Sequence, residues 1–243
     1  MIKLSPTDIH FVLTRTPKYV RTMLTDNVGE LFMAGGFIRA TIAGEKPSDI
    51  DIFGPSREKL EAVAKDVVVN SNGGARLHET ENAYTILWKN GRVPLQFIHR
   101  WVYSDAMKLV QEFDFSIAQA AVWAVRGDDL HPFKWESLCG DHFYSDLAAK
   151  RLRYLYPSRA EDAGGSLMRA RKFLKRGYSI QAPSLAGIIS RLMSGLNWDD
   201  GRIAEERWRA QVLTGLLREV DPMLVVDGLE LADEHEFLSE DDA

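Results

Sequence analysis

The sequence predicts an α/β fold, α+β in detail: a mixed sheet flanked by helices, then a small helical region. Three observations lead there. Short apolar strand-like runs alternate with helix-period runs between residues 31 and 98. Asn90-Gly91 stands between two such strand runs, a strong hairpin signal. Beyond about residue 143 the runs become helical and are punctuated by Pro157, Gly164-Gly165, Gly177 and Pro183. The division expected is a head over residues 1–140, a helical region over 141–225 and an acidic tail over 226–243.

Taken in order, Ser5-Pro6-Thr7-Asp8 opens a short helix to about residue 14, with proline in the first turn where a missing N–H costs nothing. A second helix covers Pro17–Leu24. Leu31–Ala34 is an apolar strand, Phe37–Ala43 an apolar helix and Asp49–Phe53 a strand. Arg57–Lys65 is helical, because Leu60, Val63 and Ala64 recur at helical spacing. Val67–Val69, Tyr84–Trp88 and Val93–Ile98 read as strands, and Ser104–Phe113 as a helix. Phe115–Val125 fits a strand or a helix equally. Ser145–Tyr154, Ser166–Arg176, Leu185–Leu196 and Arg202–Val220 read as helices.

Apolar residues make up 45% of the 243 and charged residues 27%, which excludes disordered, collagen-like and fibrous chains. No apolar stretch approaches the roughly 20 residues of a membrane helix, and the first residues lack a signal peptide's basic head and apolar block. A single cysteine, Cys139, forms no internal disulfide, so a cytoplasmic location is expected. The net charge of −5 hides two opposed regions. Residues 226–243 carry eight acids and no Lys or Arg, which leaves +3 on the rest of the chain. Residues 150–176 carry nine Lys/Arg against Glu161 and Asp162. Such a cluster suits a phosphate-rich partner, or else forms a solvated helical face.

The chemistry concentrates in residues 31–53. Asp49 and Asp51 stand two apart on the expected strand, so both carboxylates project from one face while Ile50 and Ile52 point into a core. Two anions side by side are tolerated in water or around a cation, and oxygen ligands on a rigid strand suit Mg²⁺. The alternative is a strand end exposed to solvent. Gly35-Gly36 falls between a strand and a helix, where backbone N–H groups can hold phosphates; alone it is equally a plain tight turn. A phosphate cradle beside a metal platform is what phosphoryl transfer from a nucleotide requires.

The stretch AGGFIRATIAGEKPSDIDIF resembles the signature of the DNA polymerase β-like nucleotidyltransferase superfamily, and most of all the heads of poly(A) polymerases and tRNA CCA-adding enzymes. Ser166–Ile180 is similar to the arginine-rich helix that follows the head in that group. The resemblance implies an enzyme that transfers NMP from an NTP to an acceptor hydroxyl with two Mg²⁺ ions, the acceptor being an RNA 3′ end such as that of tRNA. It implies that Gly35 and Gly36 hold the triphosphate and Asp49 and Asp51 ligate the metal. Ser48 and Arg39 would lie near the phosphates, and Arg169 and Lys172 would face the nucleotide or the acceptor. Other acceptors, a protein or a small molecule, and a degenerate module that only binds nucleotide or RNA, are the alternatives.

The sequence departs from that pattern at several places. Ala40 replaces an acid after the arginine. Gln96, in Val93–Ile98, stands where many members place a third carboxylate. Asp114 is the candidate to supply that acid, or else merely caps the apolar segment that follows it. Glu161-Asp162 stand upstream of where a base-reading acid pair belongs, and Ser166 occupies its arginine's place. His131, Cys139 and His142 fall short of a four-ligand zinc site.

Overall fold

The structure is a computed structural model that describes residues 1–158 and 164–217. Seven strands form one mixed sheet: β1 Phe32–Ala34, β2 Ile50–Phe53, β3 Ala75–Glu79, β4 Ala83–Trp88, β5 Leu95–Ile98, β6 Ala120–Arg126 and β7 Phe133–Cys139. Their order is β3-β4-β5-β2-β1-β6-β7, with β2 and β5 parallel and every other neighbouring pair antiparallel. The helices are α1 Pro6–Arg15, α2 Lys18–Asp26, α3 Gly36–Ile42, α4 Arg57–Val69, α5 Ala106–Gln111, α6 Phe143–Ala148, α7 Gly165–Lys175, α8 Ala182–Ser194 and α9 Glu206–Leu216. Strands β8 Arg151–Leu152 and β9 Ser179–Ile180 pair in parallel outside the main sheet.

Alternation along the strands sorts the two faces. Met33, Ile50, Ile52, Leu95, Phe97, Ala120 and Val122 enter the larger core, under α1 to α4. Phe32, Ala34, Phe53 and Ala121 enter a smaller one covered by Ala106, Leu109 and Val110 of α5. The helices that cover these faces start where side-chain oxygens accept first-turn amides. Ser5 Oγ accepts from Asp8 N at 3.1 Å, Ser56 Oγ from Lys59 N at 3.1 Å and Asp105 Oδ1 from Lys108 N at 2.9 Å. Tyr144, on α6, donates its hydroxyl to Asp8 at 2.8 Å and so ties the first helix to the end of the head.

Three expectations are corrected, and the open reading of Phe115–Val125 is resolved. Val67–Val69 is not a strand but the last turn of α4; Val67 and Val68 pack against the core, Val69 is exposed, and tertiary packing overrides the strand propensity of the run. Two strands were missed, β3 and β7, both at sheet edges, where little burial is needed and the apolar alternation is weak. Phe115–Val125 is a 3₁₀ turn over Ser116–Ala118 followed by β6. Ser145–Tyr154 is divided between α6 and β8, with Lys150 at φ 46° breaking the helix. The end of the helix expected over 202–220, the whole acidic tail, and Glu161 and Asp162 lie outside the described residues.

The chain beyond Phe143 shares the head's core. Ala170, Tyr178 and Ile188 belong to the cluster that contains Phe115 and Phe143, and Phe173 meets the Phe115 ring edge-on at 6.0 Å. The basic residues of this stretch are partly structural. Asp146, wholly buried, accepts from Ser116 Oγ at 2.7 Å, Arg151 Nε at 2.7 Å and Arg153 Nε at 2.8 Å. Burial works to raise the Asp146 carboxyl, but the hydrogen bonds from Arg153, Ser116 and Arg151 outweigh it and hold it below the usual carboxylate range. A carboxyl depressed in the folded state contributes stability that is present above its unfolded pKa and lost as pH falls through the folded value. Asp146→Ala is expected to destabilise the fold by about 3 kcal/mol, because it leaves a buried hydroxyl and two guanidiniums without their acceptor. Urea titrations should also show the variant losing less stability than wild type on acidification below about pH 4.

Candidate active site at the Gly35-Gly36 corner

The site is built where β1 ends. Ala34 of β1 lies opposite Asp51 of β2, so the turn that follows Ala34 emerges beside the acid strand. Gly35 makes that turn with φ 79° and ψ −127°, in a region that side chains rarely adopt, and its N–H donates to Ala120 O at 2.9 Å. Gly36 then opens α3, and as the first helical residue its N–H has no partner within the helix.

The two acids face this corner. A Cβ placed on Gly35 would stand 3.9 Å from Asp51 Oδ2 and only 3.1 Å from the Phe113 ring; one placed on Gly36 would stand 4.0 Å from Asp49 Oδ1. Glycine at 35 and 36 therefore puts no side chain of its own in front of either carboxylate. Asp49 precedes β2 rather than belonging to it, and Ser48 donates its hydroxyl to Asp49 Oδ1 at 3.1 Å. Phe113, which sequence reasoning passed over, closes the wall behind Gly35; its aromatic partner Phe53 (6.0 Å, edge-on) lies two residues after Asp51.

The remaining residues of the expected set fall into a second group. Arg39 is buried in α3 and pairs with Glu45; Tyr178 Oη lies 3.2 Å from its Nη1, and the Phe173 ring lies 5.0 Å from the guanidinium. This network fastens α3 to α7 and to the turn that follows it. Burial works to raise the Glu45 carboxyl, but Arg39 and the Tyr178 hydroxyl prevail and keep it below its ordinary range.

Asp114 does not join the acid pair. It is 2% exposed and accepts from Arg169 Nε at 2.7 Å, which makes it a link between the head and α7. Nor does it cap the following segment, whose 3₁₀ turn starts after Phe115. Among the described residues no three His, Cys, Asp or Glu side chains gather into a cation site. Arg169 is thus engaged by Asp114, and Lys172 follows one turn later on the same helix, half-buried. Gln96 is the side chain beside Asp51: the two are register partners across β2 and β5, and Gln96 is 4% exposed.

The residues present fit a magnesium ion. The donor set is oxygen alone, and Mg²⁺ is ordinarily held by one or two carboxylates with the remaining positions left to water and substrate phosphates. His131 and His142 are exposed at different ends of β7, while Cys139 is buried, its thiol pushed up to about 11 by burial.

This arrangement of sheet, glycine corner and helical region is the fold seen in solved nucleotidyltransferase structures. Superposition matches the chain to a Thermotoga maritima CCA-adding enzyme complexed with tRNA, at 20% identity and TM-score 0.55, covering 93% of this chain and 53% of that one. A CCA-adding enzyme in complex with ATP gives 20% identity and TM-score 0.56, over 92% and 53%. A tRNA nucleotidyltransferase with a primer tRNA and an ATP analogue gives 18% and TM-score 0.50, over 87% and 59%. The chain spans about half the length of these enzymes. No curated protein matches it in sequence. Residues 10–150 match the family described as Gabija anti-defense 2 (Gad2), and the chain belongs to that family.

Gly35 and Gly36 are expected to respond differently to alanine. Gly35→Ala meets both the positive φ and the Phe113 ring, and should lower stability by about 2 kcal/mol or more. Gly36→Ala has helical geometry and meets its nearest neighbour, Asp49 Oδ1, only at 4.0 Å, so its melting temperature should stay within a few degrees of wild type.

Proposed function

We propose that the protein is a Mg²⁺-dependent nucleotidyltransferase that moves NMP from an NTP to an acceptor hydroxyl, with an RNA 3′ end as the acceptor. The observation that supports it most is the approach of Asp49 and Asp51 to the Gly35-Gly36 corner, where positions 35 and 36 place no side chain before the carboxylates. The solved structures of similar fold include complexes with ATP and with tRNA.

In this reading the acceptor oxygen attacks the α-phosphorus, the bond to the β-phosphate bridging oxygen breaks, and pyrophosphate leaves while the hydroxyl proton passes to solvent. Asp49 and Asp51 would hold two Mg²⁺ ions, which supply charge neutralisation at the polyphosphate. Ser48 orients Asp49. The corner admits the polyphosphate, with the Gly36 N–H as a backbone donor. Phe113 excludes water behind Gly35 and holds the turn in place. Arg39 acts indirectly, by fixing α3 against Tyr178 and Glu45. Arg169 positions α7 through Asp114, and Lys172 and Lys175 face the acceptor. The division into head, helical region and acidic tail, and a cytoplasmic location, belong to the same reading.

A second reading rests on Gln96 beside Asp51 and Asp114 held by Arg169, which leave the acid pair without a third carboxylate among the described residues and suit a module that binds nucleotide or RNA without turnover. A third keeps the transfer but gives it a protein acceptor, which suits the anti-defence setting that the family description names.

The readings separate in one assay: purified protein with each labelled NTP, Mg²⁺ and total tRNA. Label on RNA supports the first; label on protein, or none, supports the others. Asp49→Ala and Asp51→Ala are each expected to lower transfer on the order of 10³-fold or more with unchanged circular dichroism. Near-wild-type turnover in either variant removes the metal assignment. The double variant Lys172→Glu/Lys175→Glu should weaken RNA binding and flatten its dependence on salt by about one phosphate contact per lysine.

A further inference from the structure

A cavity of about 320 Å³ opens beside α3. Phe11 and Arg15 of α1, Phe37 and Thr41 of α3, and Glu45 and Pro47 of the α3–β2 loop line it, with Ile50 of β2 at its floor. Because Ile50 points into this space, Asp49 and Asp51, one residue to either side, project from the opposite face of the strand. The cavity is therefore separate from the acid pair, although the loop that walls it also carries Ser48 and Asp49.

Its chemistry is specific. The walls are mostly apolar and aromatic. The Arg15 guanidinium carbon lies over the Phe11 ring, 3.3 Å from its centroid, and the residue is exposed; among the described residues no carboxylate pairs with it. Glu45, the other charged lining residue, is answered by Arg39 and by the Tyr178 hydroxyl at 3.1 Å. The cavity thus presents one positive charge. Thr41 in its wall is 3% exposed, and its hydroxyl has no hydrogen-bond partner. A buried hydroxyl left unpartnered is costly, which points to an acceptor that arrives from outside. Threonine in a helix divides between two χ1 wells, and rotation between them exchanges methyl for hydroxyl at the cavity surface.

We propose that this cavity is a second ligand site, for an aromatic ring that carries an anionic group. The ring stacks on the guanidinium plane that Arg15 lays over Phe11, with Phe37 as the other apolar contact. The anion pairs with Arg15, and an acceptor atom of the ligand takes the Thr41 hydroxyl. The cavity volume stands at the small end of ligand sites, which fits a compound of one or two rings and excludes a long chain.

The test uses the full chain without divalent cation or NTP, so that the acid pair contributes nothing. The probe is 1-naphthyl phosphate, followed by its own fluorescence anisotropy and by amide shifts. The expected result is saturation below about 1 mM, shifts confined to residues 11–17, 37–50 and 93, and at least tenfold weaker binding of 1-naphthol and of inorganic phosphate. Arg15→Ala should weaken the probe about tenfold. Thr41→Val should weaken it severalfold and at the same time raise the melting temperature of the free protein, since it removes an unpartnered hydroxyl without changing shape. Asp49→Ala should bind the probe as wild type does, which separates this site from the proposed nucleotide site. Binding of inorganic phosphate as tight as that of the probe, shifts at the Gly35-Gly36 corner instead, or unchanged affinity in both the Arg15 and Thr41 variants would each overturn the proposal.

Discussion

The antiparallel pairing of β1 with β2 is the constraint on which the rest depends. Its register sets Ala34 against Asp51, and the chain must then leave β1 through Gly35 at the height of the acids. A slip of one residue would turn Asp51 into the larger core and Ile50 or Ile52 out of it. That core therefore enforces the placement of the carboxylates: Met33, Ile50 and Ile52 are wholly buried on one face, so their alternating neighbours have no choice of side. Packing energy that is indifferent to chemistry in this way fixes two like charges next to each other.

The same logic explains why the glycines are two and not one. The first is required by the backbone, since φ 79° and the Phe113 ring leave no room for a β-carbon. The second has helical geometry and no crowding, so the fold does not ask for it; what its missing side chain keeps free is the space before Asp49. Stability and access to the acids thus make separate demands on adjacent positions. Phe113 serves both, as a wall of the corner and as a member of the smaller core with Phe53.

The basic helical region contributes more to cohesion than its charge suggests. Arg39 reaches Glu45 and Tyr178, Arg169 reaches Asp114, and Arg151 and Arg153 share Asp146. Asp114 and Asp146 are buried and Glu45 is half-buried, and a buried carboxylate without its cation would be expensive. Of the positive charges concentrated over 150–176, Arg151, Arg153 and Arg169 are therefore counterions of buried acids, which leaves fewer of them to meet an outside phosphate than a count along the chain implies. Joined through Ala170, Tyr178 and Ile188 to the cluster around Phe115, the region continues the head's core.

Much of the site was legible in the sequence by itself. The strand, Gly-Gly, helix, turn, strand order over residues 31–53 was readable because its signals are local: apolar alternation, a double glycine, and two acids at period two. The starts of α1 and the β4–β5 hairpin were readable for the same reason. What only the tertiary structure decided are the pairings that depend on sequence-distant partners. Edge strands β3 and β7 bury too little to show a pattern, and Val67–Val69 follow α4 because the core beneath it overrides a β-branched preference. Asp114 found Arg169 55 residues away instead of the acid pair, and Phe113 came to rest on Gly35. Neither contact leaves a trace in local spacing, because each is set by how segments distant in sequence close on one another.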